Sequence, residues 1–175
     1  MAIGCRIPYY LKVSAMRKIH INEEVCIGCG LCEVYCQLQH ASVHDLIKAF
    51  KKRGPRPLAR ARVEAKGNVS FSVRCRNCDE PQCAYACLTG AITRDPETRM
   101  ISVDEEKCIG CCTCMLVCPL GAIKQDKEHK KMIKCDFCQG EEIPACVANC
   151  PNEALFCVEY EGSDIEVTAK IPSPV

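Results

Sequence analysis

Cys108-Ile109-Gly110-Cys111-Cys112-Thr113-Cys114-Met115-Leu116-Val117-Cys118-Pro119 is the stretch that decides how the rest of the chain is read. Three cysteines, each two residues from the next, are followed after three residues by a fourth, and a proline closes the run. Reading outward, the same plan recurs with variations. Downstream lies Cys135-x2-Cys138-x7-Cys146-x3-Cys150-Pro151. Upstream lie Cys75-x2-Cys78-x4-Cys83-x3-Cys87 and Cys26-x2-Cys29-x2-Cys32-x3-Cys36. Each group opens on a CxxC pair and ends on a cysteine separated from its predecessor by three residues. These four groups use 16 of the 19 cysteines and leave Cys5, Cys112 and Cys157 over.

At 19 cysteines in 175 residues, the chain is either a disulfide scaffold or a metal protein. Met1-Ala2-Ile3-Gly4-Cys5-Arg6-Ile7-Pro8 has no basic leader, apolar stretch or small-residue cleavage site, so no secretory signal is expected. No twin-arginine signal is present, and no run reaches the ~18 apolar residues of a membrane span. The expectation is a cytoplasmic chain in a reducing compartment, where cysteines hold metal or do redox chemistry. Lys and Arg total 23 against 22 Asp and Glu, formally +1. Aromatic residues are 5% of the chain and Trp is absent, so cofactors and their loops are expected to take part in the core.

A [4Fe–4S] cubane needs one thiolate for each of its irons. CxxCxxC wraps three irons from one side, and in two-cluster proteins the fourth cysteine of the CxxCxxCxxxCP run serves the neighbouring cluster. A lone CxxC is weak evidence, because zinc ribbons share it; zinc, however, favours two separated pairs over triple-cysteine runs. Four groups, each with enough ligands for one cubane, point to four [4Fe–4S] clusters. Each cluster with four thiolates carries roughly −2 when oxidised, so the loaded protein has a net charge of about −7. Gly28 and Gly110, inside the first CxxC of their groups, are read as letting the backbone approach the inorganic core.

Short alternating stretches between the groups read as strands: Lys18–Ile21, Val69–Val73, Ala91–Thr93, Met100–Val103, Ala122–Lys124, Met132–Lys134 and Leu155–Tyr160. Asp95-Pro96 and Asp126–Lys131 read as hairpin turns. Leu31–His40, Pro81–Cys87, Thr113–Cys118 and Ile143–Cys150 read as short helices. The run Lys48–Lys66 carries eight Lys or Arg and one Glu. It reads as a docking surface for an acidic partner, or as a solvated connector that offsets the cluster charge. It lacks the interleaved aromatics of a nucleic-acid surface, so no nucleic-acid partner is expected. His40 and His44 have the spacing of a two-histidine metal site but are read as surface residues. Arg74, Arg76, Lys107 and Lys134 flank group cysteines and either tune potentials through their charge or sit on the surface.

The four-group pattern, with its x4 gap in group two and x7 gap in group four, resembles the iron–sulfur subunits of DMSO reductase, formate dehydrogenase and hydrogenase complexes. The text Cys26-Ile27-Gly28-Cys29-Gly30-Leu31-Cys32-Glu33-Val34-Tyr35-Cys36, the Lys48–Lys52 and Pro55–Leu58 segments, Arg76-Asn77-Cys78-Asp79-Glu80-Pro81-Gln82-Cys83 and Ala145–Leu155 are most similar to the ferredoxin-like subunit of carbon monoxide dehydrogenase systems. The resemblance implies nested ligand sets. One cluster takes Cys26, Cys29, Cys32 and Cys150; its pair takes Cys135, Cys138, Cys146 and Cys36. The inner pair takes Cys75, Cys78, Cys83 with Cys118, and Cys108, Cys111, Cys114 with Cys87. Cys112 competes with Cys111, but the CxxC spacing favours Cys111. Cys5 and Cys157 are read as non-ligands.

The expected fold is α+β: two pseudo-symmetric ferredoxin-like βαβ-type modules around four cubanes. The outer module combines 17–47 with 126–161, the inner spans 69–125, and 48–68 is the basic connector. Residues 1–16 and 162–175 lie outside the repeat. No dinucleotide fingerprint and no supported nucleophile–base pair is present. The expected function is therefore non-catalytic electron transfer inside an oxidoreductase complex. The resemblance implies carbon monoxide dehydrogenase as donor and a hydrogenase or flavin-dependent NAD(P) oxidoreductase as acceptor. A tungsten or molybdenum oxidoreductase, a hydrogenase complex, or life as a free soluble ferredoxin are the alternatives; a zinc or cluster-carrier protein is a further class.

Overall fold

The computed structural model describes residues 16–41, 45–51, 57–160 and 167–171. Within them, short antiparallel strand pairs alternate with the cysteine groups. β1 (Met16–Ile21) leads into group one, whose helix is α1 (Leu31–Gln39). A short helix α2 (Leu46–Lys51) follows, capped where Asp45 Oδ1 accepts from the Lys48 N–H at 2.8 Å. β2 (Arg62–Lys66) and β3 (Val69–Val73) form a hairpin in register from Arg62↔Val73 to Lys66↔Val69. Gly67, at φ 62°, supplies the positive φ that its two-residue turn demands.

Group two carries α3 (Gln82–Tyr85). The hairpin of β4 (Ile92–Arg94) and β5 (Ile101–Val103) then leads to group three with α4 (Thr113–Val117). Between groups three and four lies the hairpin of β6 (Lys124–Gln125) and β7 (Met132–Ile133). Group four carries α5 (Ala145–Ala148), and β8 (Leu155–Tyr160) follows. β8 pairs antiparallel with β1, from Met16↔Tyr160 to Ile21↔Leu155, and β9 (Val167–Ile171) adds to its other edge. The cysteine groups and strand pairs thus form a closed cycle, with the pair β1–β8 joining the last group to the first.

The hairpin turns carry their own chemistry. Asp95 Oδ1 accepts from the N–H groups of Glu97 and Thr98, and Asp126 Oδ1 from that of Glu128. Arg99 and Lys130 then take the left-handed conformation that closes each turn. Helix α1 packs on α5, and α3 on α4. One core holds Ile19, Cys32, Cys75, Cys135, Phe137, Cys146, Val147 and Leu155; the other holds Ile92, Ile101, Cys108, Cys114, Ile123 and Met132. Among the described residues, Phe137 is the only aromatic side chain in either core, so cysteines and small aliphatics carry the packing.

Two features depart from the sequence reading. The 48–68 segment is not wholly a solvated connector, because it contains all of β2. The Val63 N–H donates to Glu33 Oε1 of α1, Arg62 Nη1 donates to the Gly121 carbonyl at 3.0 Å, and Lys124 Nζ donates to the carbonyls of Ala59 and Ala61. Its charged composition masked a strand stitched to the body by its backbone. Part of the 162–175 tail is β9, hidden because edge strands need little apolar pattern. Cys5, His44 and the basic residues 52–56 lie outside the described residues.

Candidate cluster-binding site

The cysteine loops share one backbone device. The residue before the second cysteine is left-handed in all four groups: Gly28 (φ 65°), Asn77 (52°), Gly110 (69°) and Phe137 (59°). The sequence reading placed the inorganic core against the glycines; the structure adds a second reason for them. A Cβ on Gly28 would meet the Ser70 side chain at 3.1 Å, and one on Gly110 would lie 2.0 Å from the Lys130 carbonyl oxygen. The tight neighbour is the adjoining hairpin.

A second shared position lies two residues before the third cysteine, where each short helix begins. In groups one and three, where the gap is two residues, Gly30 (φ 74°) and Cys112 (φ 62°) turn left-handed. In groups two and four the gap is longer, and an extended proline starts the helix instead, Pro81 or Pro144. The proline carbonyls accept the first helical N–H bonds, from Ala84 and Tyr85 and from Val147 and Ala148.

None of the 18 described cysteines is joined in a disulfide. Cys26, Cys29, Cys32 and Cys150 line one open hollow, with Ile27, Gly28 and Pro151 at its walls. Cys87, Cys108, Cys111 and Cys114 line another. Cys83 lies within electrostatic reach of Cys75 and Cys118, and Cys146 within reach of Cys135, Cys138 and Cys36. Cys29 and Cys111 are exposed, whereas Cys36, Cys135, Cys138 and Cys146 are all buried. Burial pushes the Cys135 thiol up to about 12 and that of Cys114 up to about 11, and pushes Cys146 up as well. Such thiols shed their protons only when a metal takes up the thiolate charge, so this donor set fits iron–sulfur ligation.

Groups outside the cysteines hold the loops. Ser70 Oγ of β3 donates to the Cys26 carbonyl at 2.7 Å, and Cys32 Sγ lies 3.4 Å from Ser72 Oγ. Lys131 Nζ donates to the Cys108 carbonyl at 2.6 Å, Lys134 Nζ to that of Cys135 at 2.8 Å, and Arg94 Nη2 to that of Cys78. Asn77 is fully buried; its Oδ1 accepts from the Ile101 N–H at 2.8 Å and its Nδ2 donates to the Arg99 carbonyl. Sulfurs also accept backbone N–H bonds, Cys36 from Arg60 at 3.2 Å and Cys118 from Ala122 at 3.4 Å. Hydrogen bonds of this kind orient ligands and tune cluster potentials.

His40 corrects its surface reading. Its side chain is 15% exposed, its Nδ1 donates to the Cys36 carbonyl at 2.7 Å, and its Nε2 faces Asp136, which Arg60 also pairs. The hydrogen bond to Asp136, with help from Cys36, raises His40 to about 10. Burial alone would raise the Asp136 carboxyl, but His40 and Arg60 outweigh it and hold it below the carboxylate range. The His40 contribution to stability is thus complete below its unfolded pKa and fades only as pH rises through about 10. The Asp136 contribution is complete above its ordinary pKa and fades as pH falls through its lowered one, so both are present at neutral pH. Arg74 and Lys134, each 4% exposed, are buried, while Arg76 and Lys107 are exposed.

The family described as "4Fe-4S dicluster domain" matches residues 68–160, and "4Fe-4S binding domain" matches residues 19–38. The chain belongs to the 4Fe–4S dicluster family. Its cofactors are [4Fe–4S] clusters, and its cysteine complement suits four. "Putative electron transport protein YsaA" of Escherichia coli K12 is 39% identical over 139 residues, covering 78% of this chain and 85% of that one. "Electron transport protein HydN" of the same strain is 36% identical over 161 residues, covering 82% and 88%. A protein of Allochromatium vinosum named as one of the subunits of sulfite dehydrogenase is 31% identical over 172 residues, covering 86% and 72%. These relatives are electron carriers and oxidoreductase subunits by name, in line with a non-catalytic carrier. Among the described residues, no helix is long and apolar enough to cross a membrane.

For this dicluster chain, the helix-start comparison bears on Cys112. It occupies the place that Gly30 has in group one, and its Sγ donates to the Gly110 carbonyl at 3.3 Å. A non-glycine residue in the left-handed region is strained by ~1 kcal/mol. Cys112→Gly is expected to keep the full iron content and to match or exceed the wild-type unfolding temperature. Loss of iron on quantitative analysis would make Cys112 a ligand. Cys157 sits in β8 opposite Ile19, 2% exposed.

Proposed function

We propose that this chain is an electron-relay subunit whose sixteen group cysteines hold four clusters in the nested sets: Cys26, Cys29, Cys32 and Cys150; Cys135, Cys138, Cys146 and Cys36; Cys75, Cys78, Cys83 and Cys118; Cys108, Cys111, Cys114 and Cys87. The observation that carries this reading is that one hollow is lined by Cys26, Cys29, Cys32 and Cys150 and another by Cys87, Cys108, Cys111 and Cys114, each drawing on two groups. The packing of α1 on α5 and the β1–β8 pair support an outer module of 17–47 with 126–161. The packing of α3 on α4 and the β4–β5 pair support an inner module of 69–125.

Exposure and proximity support a path. The set with exposed Cys29 shares its module with the buried set of Cys135. Cys135 is within electrostatic reach of Cys75, and Cys83 of Cys114, whose set ends on exposed Cys111. Electrons enter at one open set and leave at the other, one at a time. The clusters supply the redox chemistry; the chain fixes their spacing, excludes water from the middle sets and supplies the N–H bonds to sulfur.

The chain works in the cytoplasm. On the motif resemblance, its donor is a carbon monoxide dehydrogenase and its acceptor a hydrogenase or flavin-dependent NAD(P) oxidoreductase. The likeness to a protein named as a sulfite dehydrogenase component favours a second reading, in which the partner is another oxidoreductase such as a tungsten or molybdenum enzyme. An anaerobic pull-down of the tagged protein from native extract, with mass spectrometry and metal analysis, decides. Nickel with a carbon monoxide dehydrogenase polypeptide is expected. Molybdenum or tungsten with a pterin enzyme would replace that donor, and recovery of the chain alone would favour a free ferredoxin.

A further inference from the structure

Arg74 follows β3 and directly precedes Cys75, yet its side chain is turned inward and the residue is 4% exposed. Its Nη2 donates to the Ser72 carbonyl at 3.3 Å. Its Nε and Nη1 are buried and meet no hydrogen-bond partner among the described residues. No described carboxylate pairs with it. A guanidinium buried without a counter-charge is penalised by several kcal/mol, so a stable fold places an anion beside it. Buried Lys134 differs, because it donates to the Ile101 and Cys135 carbonyls.

The surroundings identify the anion. Ser72, whose carbonyl holds Arg74, also meets Cys32 through its hydroxyl. Cys146, Cys135 and Cys32 all lie within electrostatic reach of the Arg74 guanidinium. Arg74 thus faces the cysteines of the outer module from a backbone position that belongs to the inner one.

We propose that Arg74 is a positioning residue at the junction of the two modules, donating Nε–H and Nη1–H towards the cluster of Cys135, Cys138, Cys146 and Cys36 and raising its reduction potential. This rests on the ligand sets proposed above. One electron from an external reductant takes that cluster with its four thiolates from about −2 to about −3. A fixed cation favours the more negative state, and charge-assisted bonds to sulfur strengthen with that charge. The most buried set, which desolvation would otherwise make hardest to reduce, is thereby kept usable as a step between its neighbours.

The test is an anaerobic redox titration followed by electron paramagnetic resonance on fully loaded wild-type, Arg74→Gln and Arg74→Lys proteins. In Arg74→Gln, one cluster is expected to lose at least tenfold in its reduction equilibrium constant, about 59 mV for a one-electron couple. Arg74→Lys, which keeps the charge, is expected to recover most of that shift. Full iron with unmoved potentials in Arg74→Gln overturns the role of Arg74 alone. Wild-type iron and sulfide too low for four clusters overturns the ligand reading and this one with it. If Arg74→Gln does not load, wild-type protein carrying ¹⁵N-guanidino arginine is compared with equally labelled Arg74→Lys by pulsed resonance. A ¹⁵N coupling lost in Arg74→Lys supports the proposal, and identical spectra overturn it.

Discussion

Cys118→Ala is expected to remove one cluster from the interior of the relay, taking the iron content from about sixteen to about twelve per chain. Cys118 belongs in sequence to group three, but its sulfur lies within reach of Cys83 in group two. It packs against both cores and accepts the Ala122 N–H. Under nested ligation, Cys118→Ala and Cys111→Ala extinguish different resonance signals. If the four cysteines of group three served one cluster, both variants would extinguish the same signal. The functional outcome separates them further. Without the cluster of Cys75, Cys78 and Cys83, electrons delivered at the Cys29 end reduce the outer pair but do not reach the Cys111 end. Stopped-flow reduction of the reconstituted complex reads this directly, and end-to-end transfer persisting at the wild-type rate would exclude the path.

The second large effect is on stability. Gly110→Ala is expected to weaken the loaded protein by ~3 kcal/mol or more, since its Cβ would overlap a backbone oxygen. That oxygen, of Lys130, sits in a turn whose own residue is already left-handed at φ 55°. It cannot step aside without breaking the contacts that seat group three on the β6–β7 hairpin. Those include Lys131 Nζ to the Cys108 carbonyl and Gln125 Nε2 to the Gly110 carbonyl at 3.3 Å. Domains of this size are stable by about 5–15 kcal/mol, so the loss is a large share. Gly30→Ala is the control. Among the described residues nothing lies within 4 Å of its Cβ, and it bears only the left-handed strain of about 1 kcal/mol. Denaturation followed by bleaching of the cluster absorbance ranks the two, and equal midpoints would refute the clash.

Much of this was legible beforehand, because cysteine spacing is a strong signal that local geometry enforces. Val69–Val73 and Leu155–Tyr160 are strands at their expected bounds, and the four cluster helices lie within their expected segments. What escaped was set by tertiary contact. Arg62–Lys66 is a strand because Val69–Val73 offers it a ladder and Glu33 takes the Val63 N–H, not because its composition favours one. Asn77 reads as an ordinary polar residue until the hairpin at Ile101 is folded against it. Its signal was positional: it stands where the other loops have Gly28, Gly110 and Phe137. Ser70 and Ser72 face group one only because β3 lies beside it, and His40 is enclosed by Asp136 from the far end of the chain.

The closed cycle of strand pairs also sets a timetable for synthesis. A ribosome releases Cys26, Cys29, Cys32 and Cys36 early, but their partners in α5 and β8 emerge more than a hundred residues later. At 5–20 residues per second, those first thiols wait roughly 10 s for the group-four cysteines that face them. The inner cysteines are all present before the outer set can close. Maturation therefore runs from the centre of the sequence outward, and the earliest-made thiols are the last to be sheltered from stray metals and oxidants.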